Sequence, residues 1–285
     1  MKPPPFGYHR ARDVAGATAL VAELGEDAKF LAGGQSLIPM MNFRLARPAH
    51  LVDIARLGEL SFLRRDDDRL HVGALTTHHE VESAPDRSVR GFEVVREAMR
   101  WIGHLPIRTR GTAGGSLAHG DATAEWCLLA VLLDAEIVTA SPRGSRVIPA
   151  GEAFLGFFTT LLEPDELIVE VVFPKPAPHA ALTEFAERRG DFAIVAAAVD
   201  LDVAGGRVTG GRVVLGGVAP VPLRVPAAEA LLGAGERADA ELFAACGRAA
   251  AEAVDPPDGP GPGADYRRSL VRALVARACE EALAR

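Results

Sequence analysis

The chain has 285 residues, 48% of them hydrophobic and 24% charged, a balance that builds globular cores and calls for more than one of them. Its net charge of -7 leaves no basic surplus for a nucleic-acid backbone or an anionic membrane surface, so neither is expected as a partner. No apolar run approaches a membrane span, and the first residues lack a charged head followed by an apolar stretch. Three widely spaced cysteines, Cys127, Cys246 and Cys279, fit neither a metal cage nor a disulfide framework. A cytoplasmic protein without a metal of its own is expected.

Asp13 is placed to cap a helix carrying Val14, Leu20, Val21 and Leu24, which Gly25 ends. Residues 29–32 read as a short strand, Gly33-Gly34 as a turn, Ser36 as the start of a helix reaching Phe43, and residues 50–53 as a returning strand. After a polar turn at Asp66-Asp67-Asp68 comes a strand over 69–73. Residues 89–101 read as one helix, with Val94, Val95, Ala98 and Trp101 on one face. A loop over 111–117 leads to a helix over 125–132, and strands follow at 136–139 and 167–173.

Pro174-Lys175-Pro176-Ala177-Pro178 is stiff and extended, the best domain boundary in the chain. Beyond it come strands at 194–201 and 207–215, with Gly205-Gly206 and Gly210-Gly211 marking turns. Helices over 239–253 and 266–284 close the chain. The Gly/Pro-rich stretch 255–263 between them is expected to be a mobile loop.

Two segments share a pattern of small residue, Gly, Gly, polar: Ala32-Gly33-Gly34-Gln35-Ser36 and Thr112-Ala113-Gly114-Gly115-Ser116. Paired glycines let a backbone take positive φ and approach a ligand with no Cβ in the way. Successive N–H groups then converge into an anion-binding hollow, to which serine hydroxyls and a following helix add. Two such loops facing each other would supply the donors a diphosphate needs. Neither has the spacing of a Rossmann fingerprint or a P-loop. Gly115→Val is expected to abolish binding by blocking the approach to phosphate.

The first loop continues as Leu37-Ile38-Pro39-Met40-Met41-Asn42-Phe43-Arg44-Leu45-Ala46-Arg47-Pro48, then Leu51-Val52-Asp53-Ile54; the second runs on to Asp121 and Glu125. With Arg188-Arg189-Gly190-Asp191-Phe192-Ala193-Ile194 and Tyr266-Arg267-Arg268, these segments resemble the FAD-binding subunits of the molybdenum hydroxylase family across essentially the whole chain. The likeness is to the medium subunits of carbon monoxide dehydrogenases and the FAD-binding subunits of xanthine dehydrogenases.

The resemblance implies an α+β fold. A two-lobed FAD-binding domain of the vanillyl alcohol oxidase (PCMH) type would span residues 1–176, with lobes of 1–56 and 57–176. A small C-terminal α+β flavoprotein domain would span 177–285. It implies FAD as cofactor, with Lys29, Leu31, Ala32, Gly33, Gly34, Gln35, Ser36 and Leu37 along the pyrophosphate and ribityl path. Thr112, Gly114, Gly115 and Ser116 would lie across the pyrophosphate. Glu125 would accept hydrogen bonds from the adenosine ribose, with Asp121 in the same neighbourhood. Ile102 and Leu161 would pack on the flavin or adenine, and Phe192 would shield the isoalloxazine.

The resemblance also implies partners: a large subunit with molybdopterin and a small subunit with [2Fe–2S] clusters, in a doubled heterotrimer. Electrons would leave the FAD for an external acceptor such as a quinone or NAD. Three scattered cysteines agree, because iron–sulfur clusters need several each. Ala113 departs from the isoleucine common in the second motif. Ile194 stands where NAD-reducing relatives carry lysine.

Other residues carry weaker chemistry. His78-His79-Glu80 would point its histidines to different helix faces and is not expected to hold a metal. Trp126, Cys127, Cys246 and Cys279 are expected in cores. Arg188, Arg189 and Asp191 read equally as a site beside the flavin or as a surface ion pair. Two other functions fit a flavin-binding chain: a stand-alone flavoenzyme with its own substrate pocket, and a non-catalytic assembly protein.

Overall fold

The structure, a computed structural model, describes residues 2–257 and 261–285. The first strands are β1 (Gly7–Arg10), β2 (Ala28–Leu31) and β3 (His50–Asp53), which form a parallel sheet in the order β1-β3-β2. Parallel neighbours need a crossover. Helix α1 (Val14–Leu24) supplies one and α2 (Leu37–Asn42) shares the other with the first glycine segment. The Asp13 carboxylate accepts from Gly16 N–H at 2.6 Å, and Gly25 closes α1 at φ +77°.

A second, antiparallel sheet contains β4 (Leu63–Asp66), β5 (Arg69–Gly73), β6 (Glu136–Ser141), β7 (Gly144–Pro149) and, after a short hairpin of β8 (Phe154–Gly156) and β9 (Thr159–Thr160), β10 (Leu167–Phe173). Its order is β4-β5-β10-β6-β7, and Asp67 at φ +48° turns the first hairpin. Six helices lie between β5 and β6: α3 (His78–Glu82), α4 (Asp86–Val89), α5 (Glu93–Ala98), α6 (Leu105–Arg108), α7 (Ala113–His119) and α8 (Glu125–Leu132). Trp126 to Leu132 of α8 are all buried, as a helix gripped on every side requires. One side faces Phe173 and the second sheet; the other meets the third.

The third sheet is β11 (Ala180–Phe185), β12 (Val195–Ala204), β13 (Arg207–Gly216) and β14 (Leu223–Arg224), antiparallel in chain order. Gly205 and Gly206, at φ +57° and +73°, make its central turn. One face packs on the second-sheet core through Ala180, Leu182, Ala196, Ala198 and Val214. The other carries α9 (Pro226–Leu232), α10 (Ala240–Glu252) and α11 (Ala264–Leu283), with Cys246 and Cys279 buried. The α+β expectation holds.

Four expectations are corrected. The helix over 89–101 is broken: Gly91 sits at φ +81°, where a Cβ would lie 2.8 Å from Pro176, so the chain needs glycine to let the proline pass. Trp101 is left 39% exposed, off the buried face. Gly210 and Gly211 lie inside β13, opposite Asp202 and Leu201, and a Cβ on Gly211 would strike Leu232 of α9 at 2.7 Å. The residues after Thr112 are helical, not a loop. Residues 174–178 are extended but docked, since Ala177 is buried and donates to the Gly91 carbonyl at 2.7 Å. Of the stretch 255–263, residues 258–260 lie outside those described. Asp255 beside them is held by Arg268 at 2.8 Å.

Candidate functional site

The two glycine segments meet. A Cβ on Gly33 would lie 1.9 Å from the Arg110 carbonyl oxygen, and one on Gly115 would lie 3.9 Å from the Ala32 methyl. Gly33 therefore serves the approach of one segment to the other. Of the four glycines, only Gly34 has positive φ, at +71°.

Their backbones differ in what they offer. Among the described residues, the amides of Gly33, Gly34, Gln35 and Ser36 meet no acceptor within the chain. They are four consecutive donors at a turn that the Gln35 side chain steadies through the Gly33 carbonyl at 2.9 Å. Ser36 makes no capping bond, so its hydroxyl is also uncommitted. In the second segment every first-turn amide is taken: Ala113 by Thr76 O, Gly114 by Ala74 O, Gly115 by Thr112 Oγ1 and Ser116 by Thr112 O. Uncommitted amides are thus supplied by the first segment alone. The second contributes close approach and hydroxyls. Thr112 Oγ1 accepts from Gly115 N–H and keeps its own proton to donate. The helices that follow have six and seven residues, too short for their ends to add much charge.

The second segment is braced from behind. His78 N–H donates to the Gly111 carbonyl at 3.0 Å, and Gly111 passes so close to the imidazole that a Cβ would lie 2.6 Å from Nε2. His78 Nδ1 accepts from the Trp126 indole at 3.0 Å. Burial, helped by Arg108, lowers this histidine from 6.5 to about 4, so it is neutral and structural. His79 lies on the outer face near Glu82, and the described residues contain no cluster able to hold a metal.

Beyond α7, Gly120 reverses the chain at φ +67°, and Asp121 accepts from both Thr123 N–H and Thr123 Oγ1. That turn delivers Glu125 to the first turn of α8. Burial first, then Glu184 and Asp121, pushes its carboxyl up to about 8. Leu161 is fixed by its carbonyl, which accepts from Arg146 at 2.9 Å. The turn at Ile102 is held by Arg108, which reaches the carbonyls of Ile102 and Gly103 at 3.1 Å each. Gly190 of the third motif packs against that turn, 2.6 Å being the gap its Cβ would leave to His104. The structure so joins the third motif to the turn at Ile102. Lys29 and Phe192 are exposed, Phe192 by 76%, and no hydrogen bond among the described residues ties them to either segment. Sequence reasoning missed Arg110, Ala74 and Glu184. Only Glu184 left a trace, as a carboxylate inside an otherwise uncharged strand.

Comparison with known proteins places the chain in a family. The family described as FAD binding domain in molybdopterin dehydrogenase matches residues 4–176, and the CO dehydrogenase flavoprotein C-terminal domain matches residues 180–282. The chain is 40% identical to the 6-hydroxypseudooxynicotine dehydrogenase complex subunit alpha of Paenarthrobacter nicotinovorans, over 100% of this chain and 97% of that one. It is 36% identical to the carbon monoxide dehydrogenase medium chain of Hydrogenophaga pseudoflava, over 100% and 99%. A solved carbon monoxide dehydrogenase from that organism, lacking the Mo-pyranopterin moiety, superposes with a TM-score of 0.94 at 38% identity, covering 100% of this chain and 99% of that one. Fold and site define an FAD-binding oxidoreductase subunit of two parts, both mixing helix and strand. The chain belongs to the flavoprotein subunits of the molybdenum hydroxylase family.

Proposed function

We propose that the chain is the electron-exit subunit of a cytoplasmic molybdenum hydroxylase. FAD, when bound, takes electrons singly and releases them in pairs. The observation that carries the reading is the row of four uncommitted amides, Gly33 to Ser36, on the segment that packs against Arg110, Gly111 and Gly115. They would hold the pyrophosphate, with Leu31, Ala32 and Leu37 beside them and Lys29 at the rim. Gly114 and Gly115 would keep the opposite wall close. Ile102, Leu161 and Phe192 would bound the ring system, and Asp121 and Glu125 the ribose. The division into 1–176, with its lobes 1–56 and 57–176, and 177–285 is part of the same reading.

Electrons would arrive from [2Fe–2S] clusters on a small partner, fed by molybdopterin on a large one, and leave to a quinone, NAD or another acceptor. The buried, scattered cysteines support this, because none is free to join a cluster. Exposed Phe43 and Leu45 beside the first segment, and Leu155, Phe157 and Phe158 beside His119, are apolar surfaces suited to subunit contact. Ile194 donates its amide to the Phe185 carbonyl and gives its own carbonyl to Arg267. An apolar side chain there offers an acceptor no charge.

The test is co-purification from the native host with identification of the partners, followed by flavin bleaching. Substrate should bleach the flavin of the assembled complex and leave that of the isolated chain untouched. Bleaching of the isolated chain would favour a stand-alone flavoenzyme. FAD binding with no bleaching in the complex would favour an assembly role.

A further inference from the structure

The arginines of the third motif form no surface ion pair. Arg188 and Arg189 are exposed, and among the described residues neither makes a side-chain hydrogen bond nor comes within 4.0 Å of a carboxylate, that of Asp191 included. They line a cavity of about 530 Å³ instead. Small-ligand sites run from roughly 300 to roughly 1,000 Å³. The cavity lies between α5, β11 and the end of α11. None of the residues assigned to FAD lines it.

Its walls follow from the local folds. Thr183 of β11 turns its hydroxyl to the Leu274 carbonyl of α11 at 3.1 Å. Leu182 and Glu184 alternate with it along the strand and so face the other way, toward α5. Val94 and Ala98 of α5 complete an apolar side. The chain turns once more after α5, Trp101 N–H donating to the Ala98 carbonyl at 3.0 Å, and the half-exposed indole joins the lining. Glu184 keeps only 9% of its surface, yet among the described residues its carboxyl has no hydrogen-bond donor and no cation within 4.0 Å. Its oxygens are not sealed off, so they open onto the cavity that the residue lines. A buried acid left without a donor is costly until something supplies one. Arg285 does not, because Glu97 takes it. Arg100 is a third uncommitted cation of the lining, and Glu281 is its one other free acid, exposed near the end of α11. The buried Glu184 thus marks the inner end of the cavity and the three exposed arginines its mouth.

We propose that this cavity is a second nucleotide site, which takes a purine nucleoside monophosphate with its base on Trp101, its base N–H groups toward Glu184 and its phosphate on Arg188 and Arg189. Each part of that ligand meets a group suited to it. An indole face accepts any base by stacking. A carboxylate oxygen accepts from the amino or imino N–H of a purine. Guanidinium groups match phosphate oxygens in pairs, and Arg188 and Arg189 have no competing acid within reach. A ligand anionic throughout would be repelled by Glu184, and a wholly apolar one would leave both the acid and the arginines unmet.

The test is calorimetric titration of the full chain with AMP and with GMP in the presence of saturating FAD. One nucleotide should bind per chain. It should also quench tryptophan emission, because Trp101 lines the cavity while the other tryptophan, Trp126, is fully buried. Arg188→Ala combined with Arg189→Ala should weaken AMP roughly tenfold and leave adenosine, which has no phosphate, unchanged. Trp101→Ala should weaken AMP and adenosine alike, by roughly tenfold. Glu184→Ala should weaken AMP and leave ribose 5-phosphate, which has no base, unchanged. Failure of both nucleotides to bind overturns the proposal. So does AMP binding that FAD abolishes, because the nucleotide then occupied the flavin site. Inorganic phosphate bound as tightly as AMP would reduce the arginines to an unspecific anion patch, and wild-type affinity in the double arginine variant would place the nucleotide elsewhere. Should Trp101→Ala not fold, Trp101→Phe decides: AMP affinity should persist and the quench vanish, and a surviving quench overturns the site.

Discussion

The Trp126 indole N–H donates to His78 Nδ1 at 3.0 Å, so that a residue of the central helix sets the imidazole against which the second glycine segment rests. The histidine is neutral because burial lowers it from 6.5 to about 4. Between those values the unfolded chain binds the extra proton and the folded chain does not. Stability should therefore fall as pH falls through that window, by about 3 kcal/mol at its lower end. Thermal unfolding of wild type and His78→Gln between about pH 7 and about pH 4 checks this. The variant should start lower and fall less steeply. Parallel curves would put the acid loss elsewhere.

Gly33 has no room for a side chain, because the Arg110 carbonyl oxygen would stand 1.9 Å from its Cβ. Gly33→Ala should push the two segments apart and cost about 1–3 kcal/mol of stability. Flavin content should drop with it. Gly34→Ala meets only the side chains of Ile38 and Leu31, at 3.1 and 3.2 Å, but strains φ at +71°, costing about 1–2 kcal/mol with the segments still together. Gly115→Val should also lose flavin, but its Cβ meets Thr112 Oγ1 at 2.8 Å, so the helix cap goes as well. Flavin absorbance per chain and urea midpoints for the three variants separate these causes.

Glu166 anchors the Leu161 segment. Burial alone would raise its carboxyl, but two bonds from Arg146 at 2.6 Å, one from Thr139 and one from Glu163 N–H hold it down at about 2. Arg146 also reaches the Leu161 carbonyl. Arg146→Ala leaves the acid without its cation and should destabilise the chain, lowering its urea midpoint. FAD affinity should fall by severalfold through a loosened Leu161. Unchanged affinity would show that Leu161 does not bound the cofactor.

Arg267 gathers two strand ends. Its Nη1 donates to the carbonyls of Ile194, before β12, at 2.6 Å and Gly217, after β13, at 2.8 Å. Arg267→Ala should cost about 3 kcal/mol, the scale of charge-assisted bonds to groups left buried. Arg267→Lys should recover part of it. Denaturant midpoints of the full chain give both values.

Local chemistry carried much of this into the sequence. Asp13, Gly25 and Asp239 mark helix ends by side-chain capping or positive φ, which neighbouring residues decide. Strands 50–53, 69–73 and 167–173 are apolar runs closed by polar residues, and they form where expected. Failures arose where distant chain decides. Nothing near Gly91 announces Pro176, and nothing near Gly211 announces Leu232. The glycine segments were legible as motifs, while their division of labour was not. It depends on Thr76 and Ala74 taking the amides of Ala113 and Gly114. The edge strands β1, β4 and β11 are short or alanine-rich and have weak patterns of their own.

All three thiols are inside: Cys127 lies in the second-sheet core, and Cys246 and Cys279 lie under the C-terminal helices. Burial raises each, Cys246 to about 11 and the other two further above the ordinary thiol value. Maleimide reagents should therefore leave the native chain unlabelled. A single cysteine introduced at Phe192 or in the Gly205–Gly206 turn would carry a spin label without background. Such a label turns the chain into a spectroscopic ruler for the span between its flavin and whatever subunit docks beside it.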